Sequence, residues 1–433
     1  MSLDASLTKR LESLLGSDLS GLRFRVALSG GLDSTVLLHV LAQIAPRLRF
    51  QLSAVHVHHG ISPNADAWAD HCERFAQSLN IPITIHRVSV ERQSADGLEA
   101  AARRARHAVF ASTDCDWIVL AHHRGDQAET VLHRLMRGTG VHGAAGMRVM
   151  DASRRLLRPL LDEPREALLA WALANALTWI EDESNADTRF TRNFLRGEVL
   201  PLLRTRQAGV EANLARAAEL FGESAQLLDE MAREDAARIA PGSEGSLARL
   251  RQLNAPRARN LLRYLLVEQG AQPPAMDRLV EALRQLHEAE EGIRLVFEGQ
   301  ALCVWRGVFW IEAEVAQPVR ELVWYGEACL PWAGRVLCFA AANGPDALRV
   351  SPDGGVRIIG RQGGERLRPR TDGPSRAFKQ LAQEAGIPPW QRELLPCLWQ
   401  GGELIWIAGL GSNSNWRCAE GEPGWRVEWS SNR

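Results

Sequence analysis

The amino-acid sequence predicts an α/β fold: an N-terminal, mostly parallel sheet with helices on both faces, followed by a mainly helical middle domain and a smaller α+β C-terminal domain. Three observations lead to this prediction. Apolar strand-like runs alternate with amphipathic helical segments over residues 24–121, which is typical of a parallel sheet. Residues 210–240 and 256–290 are rich in Ala, Leu, Arg and Glu, as helices are, and residues 293–312 are predicted to form two short strands. Beyond residue 300 the chain becomes strand-like and holds ten of its fourteen tryptophans.

A length of 433 residues suits two or three domains, and we place the boundaries at 1–208, 209–316 and 317–433. Charged side chains appear within the first twenty residues, and no apolar run reaches membrane-spanning length. The seven cysteines are scattered without a Cys-x-x-Cys pair, which predicts neither a zinc site nor a disulfide framework. Together these features lead us to expect a cytoplasmic protein without a membrane segment.

The first strand of the alternating region leads into a tight polar turn, Ser29-Gly30-Gly31-Leu32-Asp33-Ser34. Residues 24–28 are mostly apolar, as in a strand buried on both faces, and an amphipathic helix follows the turn. Glycines let the backbone approach a ligand closely, and a helix N-terminus attracts phosphate. The pattern therefore favours a phosphate site over an ordinary glycine-rich connection. It is not the commoner P-loop, because the turn contains no lysine.

The remaining elements of this region follow in order. A short helix occupies residues 1–23, further strands are predicted at 52–57, 81–90 and 117–121, and helices at 66–79 and 98–112. Ligands of such folds bind beyond the carboxyl ends of the strands. Three clusters are therefore candidate site segments: Ser29–Ser34, His56–Gly60 and His122–Glu129.

The second and third of these clusters each allow two interpretations. The histidines of His56–Gly60 suggest metal binding, but histidines at strand ends more often form hydrogen bonds to nucleotide or backbone. In the third cluster, Asp126 and Glu129 are three residues apart on a predicted helix, so both carboxylates face one point. They are suited to hold Mg²⁺ or to steer an amine, and Asp126 is also placed to cap the helix.

Two pairs of arginines are candidate phosphate ligands. Arg103 and Arg106 lie on the helix over 98–112, and Arg192 and Arg196 follow an acidic loop at 181–187. The alternatives are a solvated helical face for the first pair and a self-neutralising surface for the second. Since nearly all basic residues of this chain are arginine, genomic composition bias also explains their number.

A basic stretch stands out in the C-terminal domain. Residues 357–379 contain seven basic side chains against two acidic ones, and Arg366, Arg368, Arg370 and Arg376 are among them. Such a stretch either tracks a phosphate backbone or is a solvated basic face. The nearby tryptophans are suited to stack on RNA bases, but packing in a core is the more common use of this residue.

Several of these motifs together resemble known families. Ser-Gly-Gly-x-Asp-Ser resembles the PP-loop of the ATP pyrophosphatases, which cleave ATP between its α and β phosphates. The order of motifs over the first half of the chain resembles tRNA(Ile)-lysidine synthetase, and the segment from Gly363 to Leu410 resembles the C-terminal domain of that family. The matching motifs of the first half are 29–34, 56–60, Glu99 with Arg103 and Arg106, 121–130, 137–140, 158–161 and 182–196.

The resemblance implies a reaction. ATP adenylates the carbonyl oxygen on carbon 2 of the wobble cytidine in the CAU anticodon of tRNA(Ile). Free L-lysine then displaces AMP and forms lysidine, which changes codon recognition from AUG to AUA. Some family members are homodimers, so a homodimer is also expected.

The same resemblance implies roles for individual residues. Ser29–Ser34 and His56 would bind ATP, and Asp33 would bind Mg²⁺. Asp126 or Glu129 would orient the lysine ammonium and accept its proton. The four arginines of the first half would hold ATP or the anticodon backbone, and the C-terminal arginines would engage the tRNA elsewhere.

Two departures from the family pattern keep rival functions open. Gly125 stands where the family usually has an acid, and His107 stands where it usually has Tyr. One rival is a PP-loop tRNA thiolase, which would normally need reactive or cluster-binding cysteines. The other is a catalytically inactive tRNA-binding relative, which only Gly125 supports.

Overall fold

A computed structural model of the chain describes residues 2–91, 97–181, 191–289, 292–314 and 321–430. The chain divides into two units, residues 1–227 and 228–433. Most of the acidic loop at 181–187 and the predicted linker at 317–318 lie outside the described residues. The three-domain boundaries given above remain a prediction.

The first unit is built on one six-stranded sheet. Its strands are β1 (Arg23–Ala27), β2 (Gln51–His58), β3 (Ile83–Arg87), β4 (Trp117–Val119), β5 (Met150–Asp151) and β6 (Leu156–Leu157). Its helices are α1 (Leu3–Leu15), α2 (Leu32–Leu48), α3 (Ala65–Ser78), α4 (Leu98–Ser112), α5 (Arg124–Met136), α6 (Val141–Ala144), α7 (Arg165–Ala174), α8 (Thr191–Phe194) and α9 (Leu200–Arg206). A π-helical turn at Leu195–Val199 joins α8 to α9.

The strand order β3-β2-β1-β4-β6-β5 places β1 near the middle of the sheet. It pairs in parallel with β2 on one side and with β4 on the other, and only β5 runs antiparallel. The chain leaves β1 towards β2 and β3 and then returns to β4 on the opposite side. The loops after β1 and β4 therefore flank a topological switch point, where such folds bind ligands. The predicted parallel sheet is confirmed.

Packing of α2 against the sheet fixes the turn that precedes this helix. Phe24 and Val26 of β1 are fully buried. The predicted apolar side of α2 is buried in the same core: Val36, Leu37, Val40, Leu41 and Ile44. Burial of these side chains anchors both ends of the Ser29–Ser34 turn by the hydrophobic effect.

The second unit begins within helix α10 (Val210–Ile239). Its other helices are α11 (Leu247–Arg251), α12 (Ala255–Glu268), α13 (Met276–Glu288), α14 (Phe378–Glu384) and α15 (Pro389–Arg392). Its strands are β7 (Glu244–Ser246), β8 (Ile293–Phe297), β9 (Gln300–Trp305), β10 (Val308–Ala313), β11 (Glu321–Trp324), β12 (Cys329–Trp332), β13 (Arg335–Asn343), β14 (Val356–Ile359), β15 (Arg366–Leu367), β16 (Arg376–Ala377), β17 (Cys397–Gln400), β18 (Glu403–Ile407), β19 (Gly411–Ser412) and β20 (Pro423–Ser430).

Two predicted segments of this unit differ in detail. The helical stretch at 256–290 is divided into α12 and α13, because Gly270 adopts a φ of 91° and two prolines follow at 273 and 274. The region at 293–312, where the sequence predicts two strands, forms the three strands β8, β9 and β10. Turns at Gly299 and Gly307, both with positive φ, separate them.

The C-terminal strands form a five-stranded and a three-stranded sheet around a tryptophan-rich core. Trp324 and Trp332 are fully buried, and Trp324 stacks on Phe339 with ring centroids 4.3 Å apart. For these two tryptophans the packing interpretation is confirmed. None of the helices in the described ranges is both long and apolar enough to cross a membrane.

One cysteine pair contradicts the expectation from the sequence. Cys329 and Cys338 are directly opposite each other on the antiparallel strands β12 and β13 and form a disulfide. The sequence predicts no disulfide framework, and it did not indicate this single pair because cysteine spacing does not reveal cross-strand register.

Candidate active site

The turn after β1 is closed by its own serines. Ser34 Oγ accepts the N–H of Ser29 at 3.2 Å, lies 3.0 Å from Ser29 Oγ, and donates to the Gly31 carbonyl at 3.1 Å. Gly31 is the N-cap of α2, so Leu32 and Asp33 form its first turn. The first backbone N–H groups of a helix have no partner within the helix, so the start of α2 is suited to bind an anion.

The two glycines of the turn have different structural roles. Gly30 has a φ of 88°, and a Cβ at this position would lie 2.6 Å from Ile180 Cδ1 and 3.1 Å from Cys72 Sγ. Its carbonyl also accepts the Ile180 N–H at 2.9 Å. Gly31 has an ordinary φ of −73°, and a Cβ added there would have Ser29 Oγ as its nearest atom, 3.6 Å away. Of the two positions, only Gly30 combines a positive φ with surroundings that leave no room for a side chain.

His56 is buried under the turn. Its Nδ1 lies 2.8 Å from the carbonyl oxygen of Leu28, so the ring supports the end of β1 by a hydrogen bond. Within the ranges that the structure describes, no three His, Cys, Asp or Glu side chains converge as a metal site would require. The hydrogen-bonding interpretation of this histidine fits its contacts, and its contact with nucleotide remains a prediction.

Helix α5 begins directly after β4 with a reciprocal cap. His123 Nδ1 accepts the Gly125 N–H at 3.0 Å, and Asp126 Oδ2 accepts the His123 N–H at 3.0 Å. The predicted capping role of Asp126 is therefore confirmed. Glu129 is buried one turn further along the helix.

The His123 imidazole lies close to the predicted carboxylates of Asp33 and Asp126. Its Nε2 is 3.8 Å from Asp33 Oδ2 and 3.5 Å from Asp126 Oδ2. The structure thus brings Asp33 of α2 and Asp126 of α5 close to the same nitrogen of one ring. His123 lies in the candidate segment His122–Glu129, but no role was predicted for it, although its position at the carboxyl end of a parallel strand was a usable signal.

The arginines after the acidic loop contact the acidic pair on α5. Arg196 Nη2 lies 3.1 Å from Asp126 Oδ1 and 2.8 Å from Glu129 Oε2. Arg192 Nε lies 3.9 Å from Glu129 Oε1. Arg196 is part of the π-helical turn, a local geometry frequent at functional sites. These two predicted phosphate ligands are thus also the counter-charges of the carboxylates.

The three carboxyl groups differ in their electrostatics. Burial raises the pKa of Asp33, and the Asp126 charge raises it further while His123 opposes both. Burial also raises the pKa of Glu129 against the effect of Arg196. For Asp126, burial is outweighed by the two histidines at 123 and 122, so its pKa is lowered. A site with carboxyl groups whose pKa values are pushed apart is typical of acid–base chemistry.

One carboxylate oxygen of the site is available to a cation. Asp33 Oδ1 is buried and has no hydrogen-bond partner among the described residues. Mg²⁺ commonly uses one or two protein carboxylates together with water and substrate phosphates. The chemistry of this oxygen would therefore fit a divalent cation such as Mg²⁺.

Arg103 and Arg106 of α4 lie near the histidines that follow β2 and β4. Burial and the Arg106 charge lower the pKa of His59 to about 4. Both arginines also act on His122, whose pKa is lowered first by burial. Arg158, which is buried and was not predicted as a site residue, acts on the same histidine. Positive charge is thus concentrated at the carboxyl ends of these strands, where it would attract a phosphate group.

The C-terminal arginines belong to the second unit. Arg366 Nη2 donates to the Ser375 carbonyl at 2.6 Å, and Arg376 pairs with Glu384. Arg368 and Arg370 are exposed, and neither guanidinium has a protein partner in the part of the chain that the structure describes. These two side chains are therefore the ones available to an external phosphate.

Comparisons with known proteins agree with this arrangement. Family models match residues 3–203 (PP-loop domain), 246–309 (TilS substrate binding domain) and 356–429 (TilS substrate C-terminal domain). The chain is 44% identical to the tRNA(Ile)-lysidine synthase of Azoarcus sp. (strain BH72), over 94% of this chain and 91% of the relative. It is 40% identical to that of Nitrosomonas europaea, over 94% and 92% of the two chains.

Among solved structures, the U34-tRNA thiolase NcsA from Methanococcus maripaludis aligns with a TM-score of 0.42 and 16% identity, over 50% of this chain and 78% of that one. This likeness is too weak to bear on the reaction.

Proposed function

The chain belongs to the tRNA(Ile)-lysidine synthase family, and we propose that it joins free L-lysine to carbon 2 of the wobble cytidine in a CAU-anticodon tRNA(Ile). It is a ligase that modifies tRNA and binds ATP through a PP-loop domain. The proposed product is lysidine, which pairs with A instead of G and so changes codon recognition from AUG to AUA.

A single spatial relation supports the proposal most strongly. The His123 ring lies close to both the start of α2 and the acidic face of α5. Its Nε2 is 3.8 Å from Asp33 Oδ2 and 3.5 Å from Asp126 Oδ2. A nucleotide phosphate held at the start of α2 would thus be close to carboxylates suited to bind an amine. Activation of one substrate and attack by another need this proximity.

In the first proposed step, the carbonyl oxygen on carbon 2 attacks the α-phosphorus of ATP and pyrophosphate leaves. Activation is needed because the oxygen of an amide-like carbonyl is a poor leaving group. The backbone N–H groups at the Ser29–Ser34 turn would bind the pyrophosphate portion and stabilise its developing charge. Asp33 would hold Mg²⁺, which supplies further positive charge to the phosphates when bound.

In the second proposed step, the lysine ε-amine attacks carbon 2 and AMP leaves with the former carbonyl oxygen. The ammonium must lose a proton before it attacks. Asp126, whose pKa is lowered, is suited to bind the ammonium as a carboxylate. Glu129, whose pKa is raised by burial, is the better proton acceptor, because a base with a higher pKa holds the proton more firmly.

The tRNA is proposed to contact both units. Arg103 and Arg106 lie near the carboxyl ends of the sheet strands and would bind ATP or the anticodon backbone. Arg192 and Arg196 would add contacts through the N–H groups that do not face Glu129. In the second unit, the proposed tRNA-binding domain 317–433 would use Arg366, Arg368, Arg370 and Arg376. From the family alone we also infer a homodimer, which sedimentation equilibrium would test.

The cysteine nearest the turn does not favour a thiolase. Cys72 Sγ would lie 3.1 Å from a Cβ at position 30, so it is packed against the PP-loop. Burial raises the pKa of this thiol to about 12, which leaves it protonated and unreactive at neutral pH.

Labelled lysine, ATP, Mg²⁺ and CAU-anticodon tRNA(Ile) incubated with the full chain test the proposal. We expect label to enter the tRNA in the wild type and in Glu12→Gln, a control at an exposed position on α1. We expect Asp33→Ala to abolish both label and AMP formation. AMP without label would indicate adenylation followed by a different nucleophile. Absence of both in the wild type would instead support a tRNA-binding relative without activity.

A further inference from the structure

Two of the seven cysteines meet at the surface of the second unit. Cys329 of β12 and Cys338 of β13 are directly opposite each other and form a disulfide. Cys329 is exposed and Cys338 is half-buried. Thiol–disulfide exchange requires access to a sulfur atom, so a small thiol or disulfide in solution can react with this pair.

The remaining cysteines are poor partners for such exchange. All five are buried: Cys72, Cys115, Cys303, Cys397 and Cys418. Burial raises the pKa of every one of these thiols, in three of them to about 12. Because the thiolate is the form that attacks a disulfide, these side chains stay protonated and unreactive at neutral pH. Exchange chemistry is thus directed to one pair.

The disulfide closes the weakly held end of a hairpin. β12 is the edge strand of the sheet ordered β12-β13-β20, and it pairs with β13 over four residues. One of the four is Pro331, which has no backbone N–H to donate. Cys329 and Cys338 form the pair farthest from the turn, whereas β13 is held independently by eight residue pairs with β20. Breaking the disulfide would therefore loosen β12 and leave β13 in place.

The turn of the hairpin has anchors of its own. Trp332 is fully buried, and its Nε1 donates to the Leu394 carbonyl at 2.7 Å. Its own carbonyl accepts the Nε1–H of Trp429 at 3.3 Å. At the opposite end, beyond the disulfide, the Phe339 N–H donates to the Ala328 carbonyl at 2.8 Å. Loss of the disulfide would thus open this last hydrogen bond first, while Trp332 keeps the turn closed.

We propose that Cys329 and Cys338 form a reversible thiol–disulfide site that fixes β12 when oxidised and releases it when reduced. The reaction partner is a low-molecular-weight thiol together with its disulfide. This inference is independent of the proposed function, because it involves neither the PP-loop nor the carboxylates of α5.

Oxidation of the site takes two exchange steps. The thiolate of the more exposed Cys329 attacks one sulfur of the external disulfide, which gives a mixed disulfide and releases one thiolate. The Cys338 thiolate then attacks the Cys329 sulfur and releases the second thiolate. The protons that the two cysteines give up pass to the released thiolates. Two protein thiols are thus oxidised to a disulfide while one external disulfide is reduced to two thiols, and reduction of the protein is the reverse.

Peptide mass spectrometry of the full chain tests this chemistry. The folded chain is reduced, freed of reductant and treated with oxidised glutathione. We expect the Cys329–Cys338 disulfide to form at least about tenfold faster than glutathione adds to any buried cysteine, and reduced glutathione to restore both thiols. Faster oxidation of another cysteine, or a disulfide that reduced glutathione opens only in denaturant, would overturn the inference.

Serine variants test the order of the two steps. Cys338→Ser should stop at the mixed disulfide, with glutathione left on Cys329. Cys329→Ser should react about tenfold more slowly, because the less exposed Cys338 must then attack first. Cys418→Ser, at a buried cysteine of the same unit, is the matched control and should oxidise like the wild type. Equal rates for Cys329→Ser and Cys338→Ser would overturn the assignment of Cys329 as the attacking thiol.

Hydrogen exchange of the wild-type chain tests the structural consequence without any substitution. The peptide that contains Phe339 should exchange about fivefold or more faster in the reduced chain than in the oxidised chain, whereas peptides of α12 should exchange equally in both. Equal exchange at Phe339 in the two states would overturn the release of β12. Neither measurement uses tRNA, lysine or ATP, so a failure of the proposed function would leave these outcomes unchanged.

Discussion

The Nη2 atom of Arg196 lies 2.8 Å from Oε2 of Glu129, although the two residues are 67 positions apart in the chain. Glu129 is almost fully buried, whereas the Arg196 side chain is half exposed. Burial alone favours the protonated form of Glu129, and the guanidinium is the main opposing charge. Arg196 therefore controls how readily this carboxyl group releases its proton.

Replacing Arg196 with Ala should raise the pKa of Glu129 further, because burial would then act with less opposition. We expect lysine transfer at neutral pH to fall by roughly tenfold to a hundredfold and to recover in part as the pH is raised. Rates measured between pH 6 and 9 would show this shift. Arg206→Ala, at an exposed position on α9, is the matched control and should keep the wild-type profile.

Glu129 itself should set the acidic limit of lysine transfer. A base must be ionised to accept a proton, and burial raises the pKa of Glu129 above that of an ordinary glutamate. Activity should therefore fall as the pH is lowered through this raised pKa, and Glu129→Gln should be slow without that acidic limb. A limb that persists in Glu129→Gln and disappears in Asp126→Asn would assign the base to Asp126 instead.

Local spacing was sufficient to predict part of this site. The Ser29–Ser34 turn and the Asp126–Glu129 pair were predictable because each is formed by residues that are close together in the chain. The ion pair of Glu129 with Arg196 and the packing of Ile180 on Gly30 could not be predicted from local spacing. Both join residues from distant parts of the chain, and a sequence pattern carries no information on such tertiary contacts.

The fold shows the same division between local and long-range information. Alternating apolar segments predicted the parallel sheet, and the spacing of apolar residues predicted the buried side of α2. Cross-strand register, which places Cys329 opposite Cys338, depends on how two strands pair and was not predictable.

The two glycines of the turn should respond differently to alanine. Gly30→Ala combines a φ of 88° with a Cβ 2.6 Å from Ile180 Cδ1, so we expect it to destabilise the fold by about 2–4 kcal/mol. Gly31→Ala has an ordinary φ and no contact below 3.6 Å, so its stability should stay within about 0.5 kcal/mol of wild type. Urea denaturation measures both. Equal losses in the two variants would contradict the assigned packing.

Restoring an acid at position 125 should not improve this enzyme. A Cβ on Gly125 would lie 2.8 Å from His123 Cε1 and 3.1 Å from its Nδ1, so the ring must move. That movement would break the cap from the Gly125 N–H to His123 and shift the ring Nε2 relative to Asp33 and Asp126. We expect Gly125→Asp to reduce lysine transfer about tenfold or more.

The surroundings of Gly125 also contain a carboxylate already. Glu211 Oε1 lies 3.6 Å from the position of that Cβ and is paired with Arg204, so a new aspartate would face a like charge. Gly125→Ala separates the two causes, because it moves the ring without adding charge. If the steric effect dominates, Gly125→Ala should lose nearly as much activity as Gly125→Asp. If charge repulsion dominates, the double variant Gly125→Asp with Glu211→Gln should be more active than Gly125→Asp alone. A fully active Gly125→Asp single variant would show that His123 need not keep its position for catalysis.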